Sequence, residues 1–350
     1  MKPTATRRST VWVVAAAIAA TAACGGSSSA DRPVQINGAG ATFPYPIYSK
    51  WFSEYNTLNP SVRINYQSIG SGGGVRQLQN RTVFFGASDY PMTDQQLAGA
   101  PGAILHLPAV VGSVVPIYNL SGVTAELNFT GPILADIFLG RIAKWNDPAL
   151  AAVNPGVTLP DRAITVVHRS DGSGTTFVWV DYLAKVSPEW KEKVGVATSV
   201  NWPVGLGGKG NEGVAGLVKL TDGAIGYVEP VYATQNQIAF GAVQNAAGRF
   251  VKASSASVTA VADGAAPSIP DDFRVSITNA PGDEAYPIAS FTWLLFYENP
   301  ADKAHAAAMV DFMKWALTDG QAFASELGYS PLPQSVVDRE LAALDRIQVQ

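Results

Sequence analysis

"AITVVHRSDGSGTTFVWVDYLAKV", residues 163–186, decides the fold class. The apolar, β-branched run 163–168 reads as a buried strand. "TTFVWVDYLAKV" reads as a helix, by its length and its closing lysine. Between them lie glycines and hydroxyl residues, with Arg169 and Asp171 in front. A strand feeding through a short polar turn into a helix is the repeating unit of an α/β fold, not the signature of a linker.

The same unit recurs upstream. "VQINGAGATFPYPIYSKWFSEYN" (34–56) gives a short strand, a Gly/Ala turn and a helix with Ile47, Trp51, Tyr55 and Leu58 at helical spacing. Val62, Ile64 and Tyr66 alternate as in a strand, "GSGGG" (70–74) is a tight loop, and a short helix is predicted from about Val75. "TVFFGASDYPM" is a buried strand running into a turn that carries Asp89. The apolar run 109–120 lacks helical periodicity and reads as one long strand passing between two halves of the chain. Thr130 caps a helix with Pro132 near its start, and Ser187-Pro188-Glu189 opens another. "GAIGYVE" and "IASFTWLLFY" are further strands. Two amphipathic helices, near 301–318 and 334–346, flank "LGYSPLP". Trp51, Trp145, Trp179 and Trp315 sit at core spacings, and no solenoid or propeller repeat is visible. The pattern predicts an α/β protein with parallel or mixed sheets.

Composition narrows the function classes. The 350 residues are 47% hydrophobic and 15% charged, enough for one large or two medium domains. The net charge is −4. Without the first 24 residues, 21 basic side chains face 28 acidic ones, a net of −7. An acidic body argues against a nucleic-acid partner. One cysteine, Cys24, excludes an internal disulfide, and His106, His168 and His305 lie far apart without metal-ligand spacing. No cofactor is expected.

"MKPTATRRST" is a basic leader, and "VWVVAAAIAATAA" is an apolar segment of secretory-signal length, too short to span a bilayer comfortably. Thr21-Ala22-Ala23-Cys24 resembles a lipobox, with threonine where a leucine-like residue is usual. The expectation is a lipoprotein signal peptide over 1–23, lipidation at Cys24, a flexible tether over 24–33, and an exported domain held at the outer face of the cytoplasmic membrane. Ordinary secretion is the plainer alternative.

Three turns share one chemistry: "GAGATF" (38–43), "GSGGG" (70–74) and "DGSGTT" (171–176). Each joins a strand to a helix, whose first N–H groups are unpaired and carry partial positive charge. Together, with an arginine beside one, they point to an oxyanion site at the carboxyl ends of strands. Other motifs fail. "GAGATF" lacks a third dinucleotide-binding glycine, "GLGGKGNEG" (205–213) has the wrong spacing for a Walker A loop, and Gly172-Ser173-Gly174 is not a nucleophile elbow.

Over nearly the whole of the chain from about residue 34, the sequence resembles the PstS family, the phosphate-binding proteins of bacterial ABC phosphate importers. "GAGATFPYPIYSKW", "YQSIGSGGGVRQL", "FGASDYPM", "IFLGRIAKWNDP", "SDGSGTTFVWVDYL", "WPVGLGGKGNEGVAG", "GAIGYVE" and "GYSPLP" carry the resemblance, in the family's order. It implies a type II periplasmic-binding-protein fold: two α/β domains, about 31–110 plus 289–350 and 111–288, joined by two crossover strands with the ligand in the cleft. It implies a monomeric, non-enzymatic receptor that captures inorganic phosphate and delivers it to permease subunits. It implies phosphate contacts from Thr42, Phe43, Ser71, Asp89, Arg169, Ser173, Gly174 and Thr175, with Asp171 orienting Arg169. Phe84 and His168 depart from the family pattern without being ligands in it. Asp89 suits an anion that still carries a proton; sulfate and molybdate fit it poorly, and arsenate shares phosphate's proton. A secreted phosphatase is the reading from a different class, weakened by the lack of a metal-ligand cluster and of a nucleophile with its base.

Overall fold

A computed structural model describes residues 33–350. The signal segment 1–23, Cys24 and all of the 24–33 tether but its last residue lie outside the described residues. The chain runs β1 (Val34–Gly40), α1 (Tyr45–Leu58), β2 (Val62–Ser68), α2 (Ser71–Gln79), β3 (Phe85–Ser88), α3 (Asp94–Ala98) and β4 (Ile104–Ser113). It continues as β5 (Val115–Asn119), β6 (Asn128–Phe129), α4 (Gly131–Phe138), α5 (Pro148–Ala152), β7 (Thr165–Arg169), α6 (Gly174–Val186) and α7 (Pro188–Lys193). Then come β8 (Leu206–Gly208), α8 (Gly210–Leu220), β9 (Ala224–Val228), α9 (Pro230–Asn236), β10 (Ala239–Phe240), β11 (Ala242–Gln244), β12 (Phe250–Val251) and α10 (Ser255–Ala265). β13 (Ala289–Tyr297), α11 (Lys303–Leu317) and α12 (Gln334–Leu344) close it.

Two five-stranded mixed sheets form the framework, in the orders β2-β1-β3-β13-β4 and β10-β5-β9-β7-β8. In the first, β1 is parallel to β2 and β3, and β13 lies antiparallel between β3 and β4. In the second, β7 is parallel to both β8 and β9, while β5 is antiparallel to β9. A small β12-β11-β6 sheet, not foreseen from sequence, adds to the second half. α10 packs on β4 of the first sheet.

The predicted strand 109–120 is two strands. β4 belongs to the first sheet and β5 to the second, so Val114 is the joint between them. The backbone leaves its ladder there: Val114 N–H bonds Ile288 O at 2.8 Å, and Tyr286 Oη donates to Val114 O at 3.0 Å. This ties the first connection between the sheets to the second, the segment entering β13.

α2 starts at Ser71, not near Val75. Three glycines are poor helix formers, but helix and sheet meet closely here. A Cβ on Gly74 would lie 2.5 Å from Gly40 Cα. Trp51, Trp145 and Trp179 are fully buried as expected, whereas Trp315 is only partly so. Two of these buried indole N–H groups find acceptors, Trp51 Nε1 on Gly320 O at 2.7 Å and Trp145 Nε1 on Gly223 O at 2.9 Å, whereas Trp179 Nε1 has none among the described residues.

Candidate functional site

β7 brings Arg169 to its carboxyl end, where the chain turns into α6. The side chain is 1% exposed. Nε donates to Asp171 Oδ1 at 2.8 Å, Nη2 to Asp171 Oδ2 at 2.5 Å and Nη1 to Thr175 Oγ1 at 3.3 Å. The carboxylate thus holds one edge of the guanidinium, and one proton on each terminal nitrogen is left for another acceptor. Asp171 Oδ1 also accepts from Gly210 N–H at 3.1 Å. Burial works to raise the Asp171 carboxyl, but the Arg169 hydrogen bonds and charge, with Gly210, outweigh it and hold the group below the usual range.

Ser173 caps α6, its Oγ accepting from Thr176 N–H at 2.9 Å. Gly174 N–H reaches across to Ser71 Oγ at 3.1 Å. Glycine is required for that approach, because a Cβ at 174 would lie 2.4 Å from Ser71 Oγ and 2.6 Å from Asp89 Cβ. Thr175 N–H, in the first turn, has no intrahelical carbonyl to meet.

The first sheet supplies the facing residues. Thr42 and Phe43 follow β1 and are buried. The Phe43 ring meets Tyr329 edge-on at 6.1 Å, and Tyr329 Oη donates to Phe43 O at 2.6 Å. Ser71 opens α2. Asp89 follows β3 and is 1% exposed. Its Oδ1 accepts from Thr292 Oγ1 at 2.8 Å and its Oδ2 from Ser71 Oγ at 3.4 Å. Burial pushes this carboxyl up to about 7, against the Thr292 bond, the Arg169 charge and the Ser71 hydroxyl. Unlike Asp171, this carboxylate is not committed to a cation.

The predicted residues therefore gather in one buried cluster fed by both sheets, with Cys24 outside the described residues. Sequence reasoning missed a fourth strand-to-helix turn. "GLGGKGNEG", set aside as a failed Walker loop, forms β8 and the start of α8. Its Asn211 is fully buried; Nδ2 donates to Thr42 Oγ1 at 2.7 Å and to Thr175 Oγ1 at 3.2 Å, and its backbone N–H to Thr42 Oγ1 at 3.3 Å. From α9, Tyr232 Oη donates to Thr42 O at 2.5 Å. The available signal was the glycine-rich strand-to-helix pattern itself, shared with the other three turns.

Neither departing residue faces the cluster as a charge. The His168 ring stacks on Trp202 at 4.8 Å, and burial lowers its basicity. Phe84 packs against the His305 ring at 5.8 Å. The first turns of α2, α6 and α8 converge with one guanidinium, so the cluster is rich in donors and poor in acceptors, the chemistry of an oxyanion cradle.

Known proteins share this sequence and fold. A family described as PBP superfamily domain matches residues 27–320. A "Phosphate-binding protein PstS" of Xylella fastidiosa (strain 9a5c) is 49% identical over 312 residues, covering 89% of this chain and 85% of that one. A protein of the same name from Pasteurella multocida (strain Pm70) is 50% identical over 305 residues, covering 87% and 88%. Among solved structures, a high-affinity periplasmic phosphate-binding protein bound with phosphate superposes with a TM-score of 0.72 at 24% identity, over 88% of this chain and 93% of that one. The phosphate-binding protein from Stenotrophomonas maltophilia gives 0.66 at 20% identity, with the same coverage. The fold is the type II periplasmic-binding-protein architecture, and the chain belongs to the PstS family of the PBP superfamily.

Proposed function

We propose that this protein is an extracytoplasmic receptor that captures inorganic phosphate and delivers it to the permease of an ABC importer. The observation that carries the reading is one buried, uncommitted carboxylate, Asp89, set among donors supplied by both sheets. In this reading Thr42, Phe43, Ser71, Asp89, Arg169, Ser173, Gly174 and Thr175 contact the anion, and Asp171 orients Arg169. Asp89 accepts the proton that phosphate retains at neutral pH. Sulfate has no such proton, so its oxygens would face lone pairs across a buried gap. A site built around a ligand proton can reject the analogue lacking it by about 10⁴-fold. The neighbourhoods of 31–110 with 289–350 and of 111–288 act as the two lobes. The protein is exported, anchored through lipid on Cys24, monomeric and without catalytic activity.

Calorimetry tests this directly. Phosphate should bind one to one and sulfate far more weakly, with no phosphate released from a generic phosphomonoester. Arg169→Ala should weaken phosphate binding by more than about tenfold, as removal of a charge-assisted fork does. Absence of phosphate binding, or equal binding of sulfate, overturns the reading.

A further inference from the structure

We infer that Asn211 is a positioning residue that commits the Thr42 and Thr175 hydroxyls to donate toward the bound anion. The inference rests on the phosphate-receptor reading above and adds a residue that does not itself touch the ligand. A threonine hydroxyl has one proton and two lone pairs and can serve either way. At Thr42, Asn211 fills both lone pairs, with its side-chain Nδ2 at 2.7 Å and its backbone N–H at 3.3 Å. At Thr175, Asn211 Nδ2 at 3.2 Å and Arg169 Nη1 at 3.3 Å do the same. Each oxygen then has only its proton left to offer.

The amide's own orientation is fixed. The N–H of buried Glu229 needs an acceptor and finds Asn211 Oδ1 at 3.3 Å, so the NH₂ end must face the two threonines. Both Nδ2 protons are used, one on each half of the molecule, because Thr42 follows a strand of the first sheet and Thr175 begins a helix of the second. Ser71 Oγ also accepts two main-chain groups, Gly174 N–H at 3.1 Å and Asp89 N–H at 3.2 Å, but its proton goes to Asp89 Oδ2 at 3.4 Å. Two hydroxyls, one from each half, are thereby locked as donors toward the anion, and Asp89 remains the acceptor for the ligand's proton. Without Asn211, Thr42 and Thr175 regain rotational freedom and can present lone pairs to the anion instead.

The test uses the whole protein with inorganic phosphate as the probe, and calorimetric affinity as the readout. Asn211→Ala should weaken phosphate binding by about 10- to 100-fold, the range typical of outer-shell partners. Asn211→Asp has the same shape but only acceptors; it would draw the threonine protons away from the ligand and should weaken binding further. The decisive readout is the coupling with Thr42→Val. If Asn211 acts through that hydroxyl, the loss caused by Thr42→Val shrinks several-fold in the Asn211→Ala background; a merely structural role leaves the two losses multiplying independently. Should Asn211→Ala fail to fold, the isosteric Asn211→Asp carries the same cycle. Wild-type affinity in both variants, or independent losses, overturns the assignment. Failure of the wild-type protein itself to bind phosphate overturns the receptor reading instead, and this assignment with it.

Discussion

Asp89 shows how much one side chain's surroundings decide. Its carboxyl titrates near 7 in the folded protein, against an ordinary value of 3.8. Between about pH 4 and pH 7 the folded state therefore keeps a proton that the unfolded chain has already released. Stability of the ligand-free protein falls as pH rises across that window and is flat above it. Asp89→Asn removes this cost. It should melt higher than wild type at pH 8, by up to about 4 kcal/mol of stability, with the gap closing toward pH 4. The same variant should lose preference for phosphate over sulfate. Calorimetric melts at pH 5 and pH 8 check the first expectation, and an equal gap at both would refute it. Arg169 and Asp171 were legible because each borders a glycine-rich turn, whereas Asp89 stood out only through the family resemblance. Asn211 was not legible, since its partner Thr42 lies 169 positions away and only the fold joins them.

At the scale of elements, the site is an arrangement of helix beginnings. The turn before α6 was readable because strand, charged pair, cap and helix follow one another in sequence. The start of α2 was misplaced by four residues because three glycines weigh against helix locally. Gly74 is there because of the distant Gly40 backbone and Gly72 faces the Gly172 backbone, neither of which a local pattern reveals. α6 offers a clean test of this packing. Alanine is a better helix former than glycine by about 1 kcal/mol, so Gly174→Ala should not harm the helix itself. The added methyl group would nevertheless collide with Ser71 and Asp89 from the opposite half. The expected result is a loss of phosphate affinity above about tenfold with a melting temperature close to wild type, measured by titration calorimetry and circular dichroism. Unchanged affinity would mean that the two helix starts need not approach this closely.

For the molecule as a whole, the alternation of strands and helices gave the α/β class, but the apolar run 109–120 concealed its own break. Both strands within it are apolar, and the bonds of Val114 to Ile288 and Tyr286 mark where one sheet ends. Set in an acidic body, the proposed site would attract an anion through fixed short-range donors rather than through overall charge.

The placement of β13 has a consequence for how the protein is made. Among the described residues β13 is the strand that bridges β3 and β4, and it is encoded at 289–297, some two hundred residues after β3. All five strands of the second sheet fall within 115–240. As the chain emerges from its N-terminus, β3 and β4 must wait with open edges while the entire second sheet is delivered. Distant pairing of this kind is slow to form, and unpaired edges invite aggregation meanwhile. Pulse-labelled hydrogen exchange during refolding should find the amides of β7 and β9 protected before those of β3 and β4; the reverse order would disprove it. The half made first is thus the half finished last.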